Sequence, residues 1–121
     1  MIVEQGARAV ELERLTDALP AGVVYARGGI VHYCNRTLAE WLGAAPRSLV
    51  GRSLFDVVAP EHADVFRRRF DERDRGMRVP DFWEVELVRD DGERVRVAVE
   101  PQTIGSDELV ILARPLGREL R

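Results

Sequence analysis

The segment that decides the fold is Ile30–Gly51, IVHYCNRTLAEWLGAAPRSLVG. It begins with a short apolar strand that runs directly into Asn35, whose side-chain oxygen can accept a backbone N–H from the first turn of a helix. Apolar residues at helical spacing follow it, namely Leu38, Trp41 and Leu42. Gly43 ends that helix, and a further turn runs from Pro46 to Gly51. The segment therefore predicts a strand that is followed at once by short helices.

More helical signals follow this segment. Ser53 can cap a third short helix that runs through Val58, and Pro60 occupies a favoured first-turn position of a longer helix. That longer helix is predicted to continue to about Arg75, where Gly76 stops it.

The beginning of the chain predicts an amphipathic helix over residues 2–19, which Pro20 and Gly22 end. Its apolar residues fall near one face, and they are Ile2, Ala9, Leu12, Leu15 and Leu19. A lone helix of this length is marginal in water, so it needs a surface to lie on, either its own sheet or a second chain. These five residues are the candidate dimer contacts.

Five strands are predicted, at Val23–Arg27, Ile30–Cys34, Phe82–Arg89, Glu93–Glu100 and Leu109–Ala113. Gly28-Gly29 suits a two-residue primed turn, and Asp90-Asp91-Gly92 is a second hairpin signal. The last strand is apolar without alternation, as in a central strand that is covered on both faces. We therefore expect an α+β fold in which one antiparallel five-stranded sheet carries short helices on one face.

Length and composition limit the classes of function. At 121 residues the chain is expected to form one domain, and a net charge of −3 gives no general attraction to nucleic acid. All 18 basic residues are arginine, which excludes lysine Schiff-base chemistry and a P-loop lysine. The single cysteine excludes an intrachain disulfide and favours a reducing, cytoplasmic setting. We expect neither a membrane span nor a signal peptide, because no apolar run approaches about 20 residues and Glu4 to Glu13 is charged.

The chain resembles the PAS domain family over nearly its whole length. The matching segments are ALPAGVVYA (18–26), IVHYCNRTLAEWLG (30–43), LVGRSLFDVVAPEH (49–62), WEVELVRDDGERVRVAVEP (83–101) and LVILARP (109–115). The most specific features are Asn35 after the second strand, the Gly51 turn, Pro60 at the head of the long helix and the Asp91-Gly92 hairpin. Their order and spacing carry the resemblance.

The resemblance implies a five-stranded antiparallel sheet with the spatial order 2-1-5-4-3, which places Leu109–Ala113 in the centre. It also implies an N-terminal helix of a kind that often mediates dimerisation. The expected organisation is an N-terminal amphipathic helix over residues 1–20, a PAS domain over 21–116 and a tail or linker over 117–121.

In such a fold a small ligand would lie between the inner face of the sheet and the short helices, where apolar clefts commonly bind small molecules. The residues expected to line this site are Leu38, Leu42, Leu54, Phe55, Val58, Phe66, Phe70, Trp83, Val85 and Ile111. The alternative is that the same residues simply fill an ordinary core.

The two histidines are candidates for binding or switching. Haem-binding PAS domains similar to this chain carry the iron-ligating histidine on the long helix, but His62 lies in the first turn of that helix and is expected to face solvent. His32 shares a strand face with Ile30 and Cys34 by alternation, so it could meet the N-terminal helix or a dimer partner.

Flavin photochemistry is not expected. PAS domains that form a flavin adduct carry a reactive cysteine in a motif like Gly-Arg-Asn-Cys-Arg-Phe-Leu-Gln, and the matching segment here runs from Gly51 to Phe55, with Leu54 at the cysteine position. Cys34 lies elsewhere and is interpreted as a small buried hydrophobic residue. Neither haem nor flavin is therefore predicted.

The remaining charged motifs have simple structural interpretations. The basic run Arg67–Arg69 is interpreted as a solvated helix face that pairs with the acids following it, and an anion or partner site is the minority interpretation. The acids of the Asp90–Glu93 turn are explained by turn chemistry. Few nucleophile–base pairs exist, and neither metal-ligand spacing nor a phosphate loop is present, so the chain is not expected to be an enzyme.

These observations lead to two hypotheses. The first is a homodimeric PAS sensory module that binds a small ligand or partner and relays the event through its N-terminal helix to an output domain, such as a histidine kinase. The second is a ligand-free dimerisation or protein-interaction module with a filled core.

Overall fold

The computed structural model describes residues 11–116. Helix α1 is described over residues 11–17. The elements that follow are β1 (Gly22–Arg27), β2 (Ile30–Cys34), α2 (Arg36–Leu42), α3 (Pro46–Leu49), a 3₁₀ helix (Leu54–Val57), α4 (Pro60–Asp74), β3 (Trp83–Val88), β4 (Arg94–Thr103) and β5 (Glu108–Pro115). No helix in this part of the chain is long and apolar enough to cross a membrane.

The strands form one antiparallel sheet with the order β2-β1-β5-β4-β3, as the resemblance implied. Central strand β5 pairs along its length with β1 and β4, for example through Ile111 opposite Val24 and Ala113 opposite Val99. Ile111 and Ala113 are buried, whereas Val110 and Leu112, which alternate with them, are half-buried.

The predicted elements are present, with shifted ends. Strand β4 continues past Glu100 to Thr103 even though it contains Pro101. The pairing of β3 with β4 ends at Val99, so Pro101 pairs only with β5, at Ile111. A residue without an N–H is tolerated where one neighbouring strand is missing.

The edge strand β2 contains a β-bulge that the sequence did not reveal. Tyr25 pairs with Tyr33 but Ala26 pairs with Val31, so His32 is one extra residue on β2. The bulge breaks the alternation: Val31 and Cys34 are buried, whereas His32 is exposed. The expectation that His32 and Cys34 share a strand face is therefore wrong.

The tight connections follow from glycine. Gly28 and Gly29 both have positive φ, 58° and 80°, as a primed two-residue hairpin turn requires. Gly43 ends α2 in the left-handed conformation, and its N–H bonds to the carbonyls of Ala39 and Glu40. These glycines keep the strands and short helices close enough to enclose one core.

The core lies between the inner face of the sheet and the helices α2, α3, the 3₁₀ helix and α4. The sheet contributes Val24, Ala26, Val31, Cys34, Val85, Leu87, Val97, Val99, Ile111 and Ala113. The amphipathic helix was expected to continue to residue 19, but in the structure it ends at residue 17, and residues 18 and 19 form a turn and a bend. Its candidate contacts Ile2 and Ala9 lie outside the described residues, as does the predicted tail over 117–121.

Candidate functional site

Four aromatic residues form a cluster on the inner face of the sheet: Phe55, Phe66, Phe70 and Trp83. The ring centres of Phe66 and Phe70 are 4.7 Å apart, and that of Trp83 lies 6.0 Å from Phe66 and 6.3 Å from Phe70. Phe55 completes the aromatic cluster at 5.8 Å from Phe66 and 5.9 Å from Phe70. The rings meet edge-to-face or tilted, which are favourable arrangements.

The structure brings all ten predicted pocket residues into or against one hydrophobic core. Eight of them are buried, namely Leu38, Leu42, Leu54, Val58, Phe66, Phe70, Val85 and Ile111. Phe55 and Trp83 are only partly buried and pack against the others. Phe55 and Trp83 are therefore the two rings through which the aromatic cluster reaches the surface.

A small cleft opens beside Phe55 and Phe70 at one end of the sheet, and it is called the terminal cleft below. Its volume is about 210 Å³. Its walls come from the Gly28-Gly29 turn, from Arg73 and Asp74 at the end of α4, and from the β4–β5 loop. Sequence reasoning missed these polar wall residues because they come from three separate segments and share no motif.

Asn35 makes more side-chain hydrogen bonds than any other residue of the described chain, and it is fully buried. Its Oδ1 accepts from Leu38 N at 3.2 Å, the predicted helix cap, and also from Val23 N at 2.9 Å. Its Nδ2 donates to Thr16 O at 2.7 Å and to Ala21 O at 3.0 Å. Asn35 therefore joins helix α1, strand β1 and helix α2 at one point.

Helix α1 contacts the rest of the molecule through polar groups. Thr16 Oγ1 bonds to the Tyr33 hydroxyl, whose pKa is raised by burial, and Asp17 Oδ1 accepts from Arg36 N at 2.7 Å. The leucines of the helix and the turn after it are exposed, with Leu12 at 60%, Leu15 at 58% and Leu19 at 43%. Within the described chain the predicted apolar face is thus left uncovered.

A second cleft lies between α1 and the edge strand β2, and it is called the edge cleft below. It has a volume of about 470 Å³, and its lining includes Glu13, Asp17, His32, Arg36 and Arg47. His32 therefore faces the N-terminal helix, as one of the expectations for it stated. The mixture of acids and arginines gives this cleft no single charge preference.

Cys34 is buried, as expected, and its Sγ lies 3.6 Å from Pro46 O. Burial, with a smaller contribution from the nearby Asp17 carboxylate, raises the pKa of the thiol to about 11. A thiol with so little thiolate is a poor nucleophile. Leu54, at the position where flavin-binding domains carry cysteine, is buried in the core.

His62 is half-buried rather than solvent-facing, because the first turn of α4 packs against β3. Its Nε2 lies 3.8 Å from Glu86 Oε1. Glu61 and Glu86 both accept from Arg94 Nη1, and the bond to Arg94 lowers the pKa of Glu61. Glu61, His62 and Glu86 offer three potential metal donors within 4.8 Å of one another, but both carboxylates are already paired with Arg94.

The basic run on α4 is less uniformly solvated than predicted. Asp71, one of the acids that follow the run, pairs with Arg75 at 3.3 Å, an i, i+4 contact that does not involve an arginine of the run. Arg67, however, lies over the Phe55 ring at 4.5 Å, and Arg69 lies over the Trp83 ring at 5.2 Å. Two arginines of the run therefore pack on the aromatic cluster, a role that the spacing did not reveal.

The hairpin between β3 and β4 also contacts helix α2. Arg89 Nη1 donates to Trp41 O at 2.6 Å at the end of that helix, where a cation is favourable. Asp91 accepts from Glu93 N at 2.9 Å and from Arg89 Nε at 3.3 Å, and these bonds lower its pKa. Asp91 therefore has the turn role that the sequence predicted for the acids of this segment.

Comparisons with known proteins agree with this architecture. A family model described as the PAS fold matches residues 11–114. The photoactive yellow protein domain of the sensor histidine kinase Ppr from Rhodospirillum centenum is 31% identical, with a TM-score of 0.66 and coverage of 83% of this chain and 95% of that one. No curated protein shows a significant match.

Two more distant structures share the fold. The PAS domain of a LuxR-family transcriptional regulator from Burkholderia thailandensis, in complex with ethanol, is 23% identical, with a TM-score of 0.67 and coverage of 87% and 96%. The PAS domain of an HTR-like protein from Haloarcula marismortui is 19% identical, with a TM-score of 0.68 and coverage of 92% and 99%. Since the family match covers almost all of the described residues and the strand order agrees with it, the chain belongs to the PAS fold family.

Proposed function

We propose that this chain is a non-catalytic, cytoplasmic sensory module that acts as a homodimer and relays a binding event through helix α1 to an output domain such as a histidine kinase. The observation that carries the proposal is that polar groups attach the N-terminal helix to the rest of the fold while its apolar residues are exposed. Thr16 and Asp17 attach it to the sheet and to α2, while Leu12 and Leu15 remain exposed. Exposed leucines on an ordered helix are typical of a surface that contacts a partner.

Light scattering of the full chain and of a chain lacking residues 1–19 tests this role. The full chain should have the mass of a dimer and the shortened chain that of a monomer. Leu12→Glu with Leu15→Glu is a milder version that keeps the helix length, and Met77→Glu, which alters a similarly exposed apolar residue elsewhere, is the matched control. An unchanged mass in both the shortened chain and the double variant would refute the dimer.

The sensed species is proposed to be a small molecule that reaches the aromatic cluster. Phe55 and Phe70 line the terminal cleft, so a molecule bound in this cleft would contact the aromatic cluster. Its volume of about 210 Å³ is below the range of typical drug-sized sites, which favours a ligand of few atoms. Native mass spectrometry of the purified protein with a ligand screen tests this; a reproducible bound mass supports a sensor.

The alternative is a ligand-free interaction module, and the close packing of the aromatic cluster favours it. Phe66 is 2% exposed and contacts the other three rings. A dimer without any retained or added ligand would support this function. Neither function requires a chromophore, and a sample without absorption beyond the aromatic band would support the proposed absence of haem and flavin.

A further inference from the structure

The edge cleft has room for a small organic molecule. Its volume of about 470 Å³ is more than twice that of the terminal cleft, about 210 Å³. Small-molecule sites usually have volumes of about 300–1,000 Å³, so the edge cleft falls within that range. Strand β2 contributes three lining residues, and the others come from α1, from the start of α2 and from the α3 segment. What this cleft binds depends on how its charged residues are arranged.

The acids of the edge cleft both come from α1. Glu13 and Asp17 are four residues apart, so they lie on the same face of the helix. Asp17 Oδ1 accepts from Arg36 N at 2.7 Å, which fixes this carboxylate beside the first turn of α2. Burial, and after it the charges of Asp17 and Glu13, raise the pKa of the Tyr33 hydroxyl, so both acids lie near β2. A carboxylate accepts several hydrogen bonds, so Asp17 has capacity for a further donor.

The arginines of the edge cleft lie on the two short helices. Arg36 is the first residue of α2, Arg47 is the second residue of α3, and both are exposed. Helix α3 begins beside the end of β2, because Cys34 Sγ lies 3.6 Å from Pro46 O. The Asp17 carboxylate approaches the same thiol, since its charge, after burial, contributes to the raised pKa of Cys34. The acidic and basic sides of the cleft therefore meet around one residue, and a single small molecule can contact both.

Opposite charges on the two sides of one cleft favour a molecule that carries both. A carboxylate accepts paired bonds from a guanidinium, and an ammonium group donates up to three bonds to carboxylates. A molecule with only one charge would meet the like charge of the opposite side, which costs free energy. Pro46 and Val50, the latter 47% exposed, add apolar surface to the lining. That surface suits an apolar side chain between the two charged groups.

We propose that the edge cleft binds a small zwitterion of the amino acid type, with its ammonium on the two acids of α1 and its carboxylate on the two arginines. Its apolar side chain packs against Val50. This site is separate from the aromatic cluster, so it goes beyond the proposed function and does not depend on it. Because α1 supplies the acidic side, a molecule in the edge cleft also touches the helix used by the proposed relay.

Calorimetric titration of the full chain with L-leucine and with glycyl-leucine tests this assignment. The two probes carry both charges, on one residue and on two, and at least one of them should bind saturably. For each probe, the N-acetylated form lacks the ammonium and the C-terminal amide lacks the carboxylate. Each of these forms should bind roughly tenfold or more weakly, because it loses its charge-assisted bonds. Binding of neither zwitterion, or equal binding of a form with one charge, would overturn the proposal.

Proton NMR signals of the histidine rings locate the bound zwitterion. The chain contains only two histidines, of which His32 lines the edge cleft and His62 lies beside Glu86 on the other side of the sequence's long helix α4. His62→Gln assigns the two sets of signals, so His62 serves as the internal control. The zwitterion should move the His32 signals saturably and leave those of His62 in place. Movement of neither set, or of both sets equally, would overturn the site.

Two pairs of variants test the charges themselves. Glu13→Gln and Arg47→Gln each remove one charge from the edge cleft, and each should weaken binding of the zwitterion roughly tenfold or more. Glu11→Gln and Arg68→Gln make the matched changes at exposed positions outside the cleft. These controls should keep the affinity within about twofold, since distant exposed charges contribute little. Equal affinity in the cleft variants and their controls would overturn this site and leave the proposed sensor function intact.

Discussion

Asn35→Ala is the most informative substitution, because it removes one side chain that serves four backbone groups. The amides of Val23 and Leu38 lose their acceptor, and the carbonyls of Thr16 and Ala21 lose their donor. Asn35 has no exposed surface, so water cannot replace these bonds without opening the structure. The change therefore tests whether one buried amide holds α1, β1 and α2 together.

The expected cost follows from these bonds. Loss of the cap on Leu38 alone costs about 1 kcal/mol, as in other helices. Each buried group left without a partner costs about 1–3 kcal/mol, and the Val23 amide and Ala21 carbonyl are both in buried bonds. The sum is about 3–7 kcal/mol, which is a large part of the free energy of unfolding of a typical domain, about 5–15 kcal/mol.

Urea denaturation of the full chain measures this cost, with the free energy of unfolding extrapolated to water. Ser53→Ala is the matched control, since Ser53 also caps a helix but makes only the 3.3 Å bond from Phe55 N. The control should lose about 0.5–1 kcal/mol. If Asn35→Ala lost no more than the control, the four bonds would not stabilise the fold as inferred.

Three further predictions concern single contacts. The pKa of the Cys34 thiol is raised from 9.0 to about 11. The contribution of the protonated thiol to the free energy of unfolding is therefore fully present below pH 9 and is lost as the pH rises towards 11. At pH 8 iodoacetamide should modify the folded thiol roughly 100-fold more slowly than the unfolded one, because the folded thiol contains that much less thiolate. Equal rates would contradict the raised pKa. Arg89→Ala should reduce the free energy of unfolding by about 1–3 kcal/mol in a urea titration, because Trp41 O loses a charge-assisted bond, and no loss would show that the bond is not made in solution. Gly43→Ala should reduce the free energy of unfolding more than Gly76→Ala in the same titration. Both glycines have left-handed φ, but only at Gly43 would the new Cβ meet Arg89, at 3.1 Å from Nη2. Equal reductions in the two variants would exclude that contact.

The fold could be predicted from sequence because its signals are local. Asn35, Gly43 and the Gly28-Gly29 pair each act within a few residues, and each has the predicted conformation or bond in the structure. The bulge at His32 could not be predicted, because it depends on how β2 pairs with β1 rather than on the sequence of β2. One extra residue reverses the alternation that assigned the face of His32.

The candidate site was predictable only in its apolar part. Apolar periodicity, together with the fold that the resemblance implies, identified the ten residues, and the structure brings them together in or against one core. The polar contacts could not be predicted, since Arg89 meets Trp41 across 48 residues and Arg94 meets Glu61 across 33. An exposed arginine and one whose Nε is buried against an aromatic ring look the same in sequence, so helical spacing assigns Arg68 and Arg69 a single role.

The placement of Asn35 has a consequence for the proposed relay. Its acceptor oxygen holds Leu38, a core residue that lies in the predicted pocket, while its amide nitrogen holds Thr16, in the helix that presents the exposed leucines. A ligand that moved Leu38 would alter the same side chain that fixes α1, so the two surfaces share one connection. Coupling of this kind requires a ligand with different affinities for two arrangements of the connection. On the proposed function, therefore, Asn35 is where occupancy of the core and the packing of the N-terminal helix must influence each other.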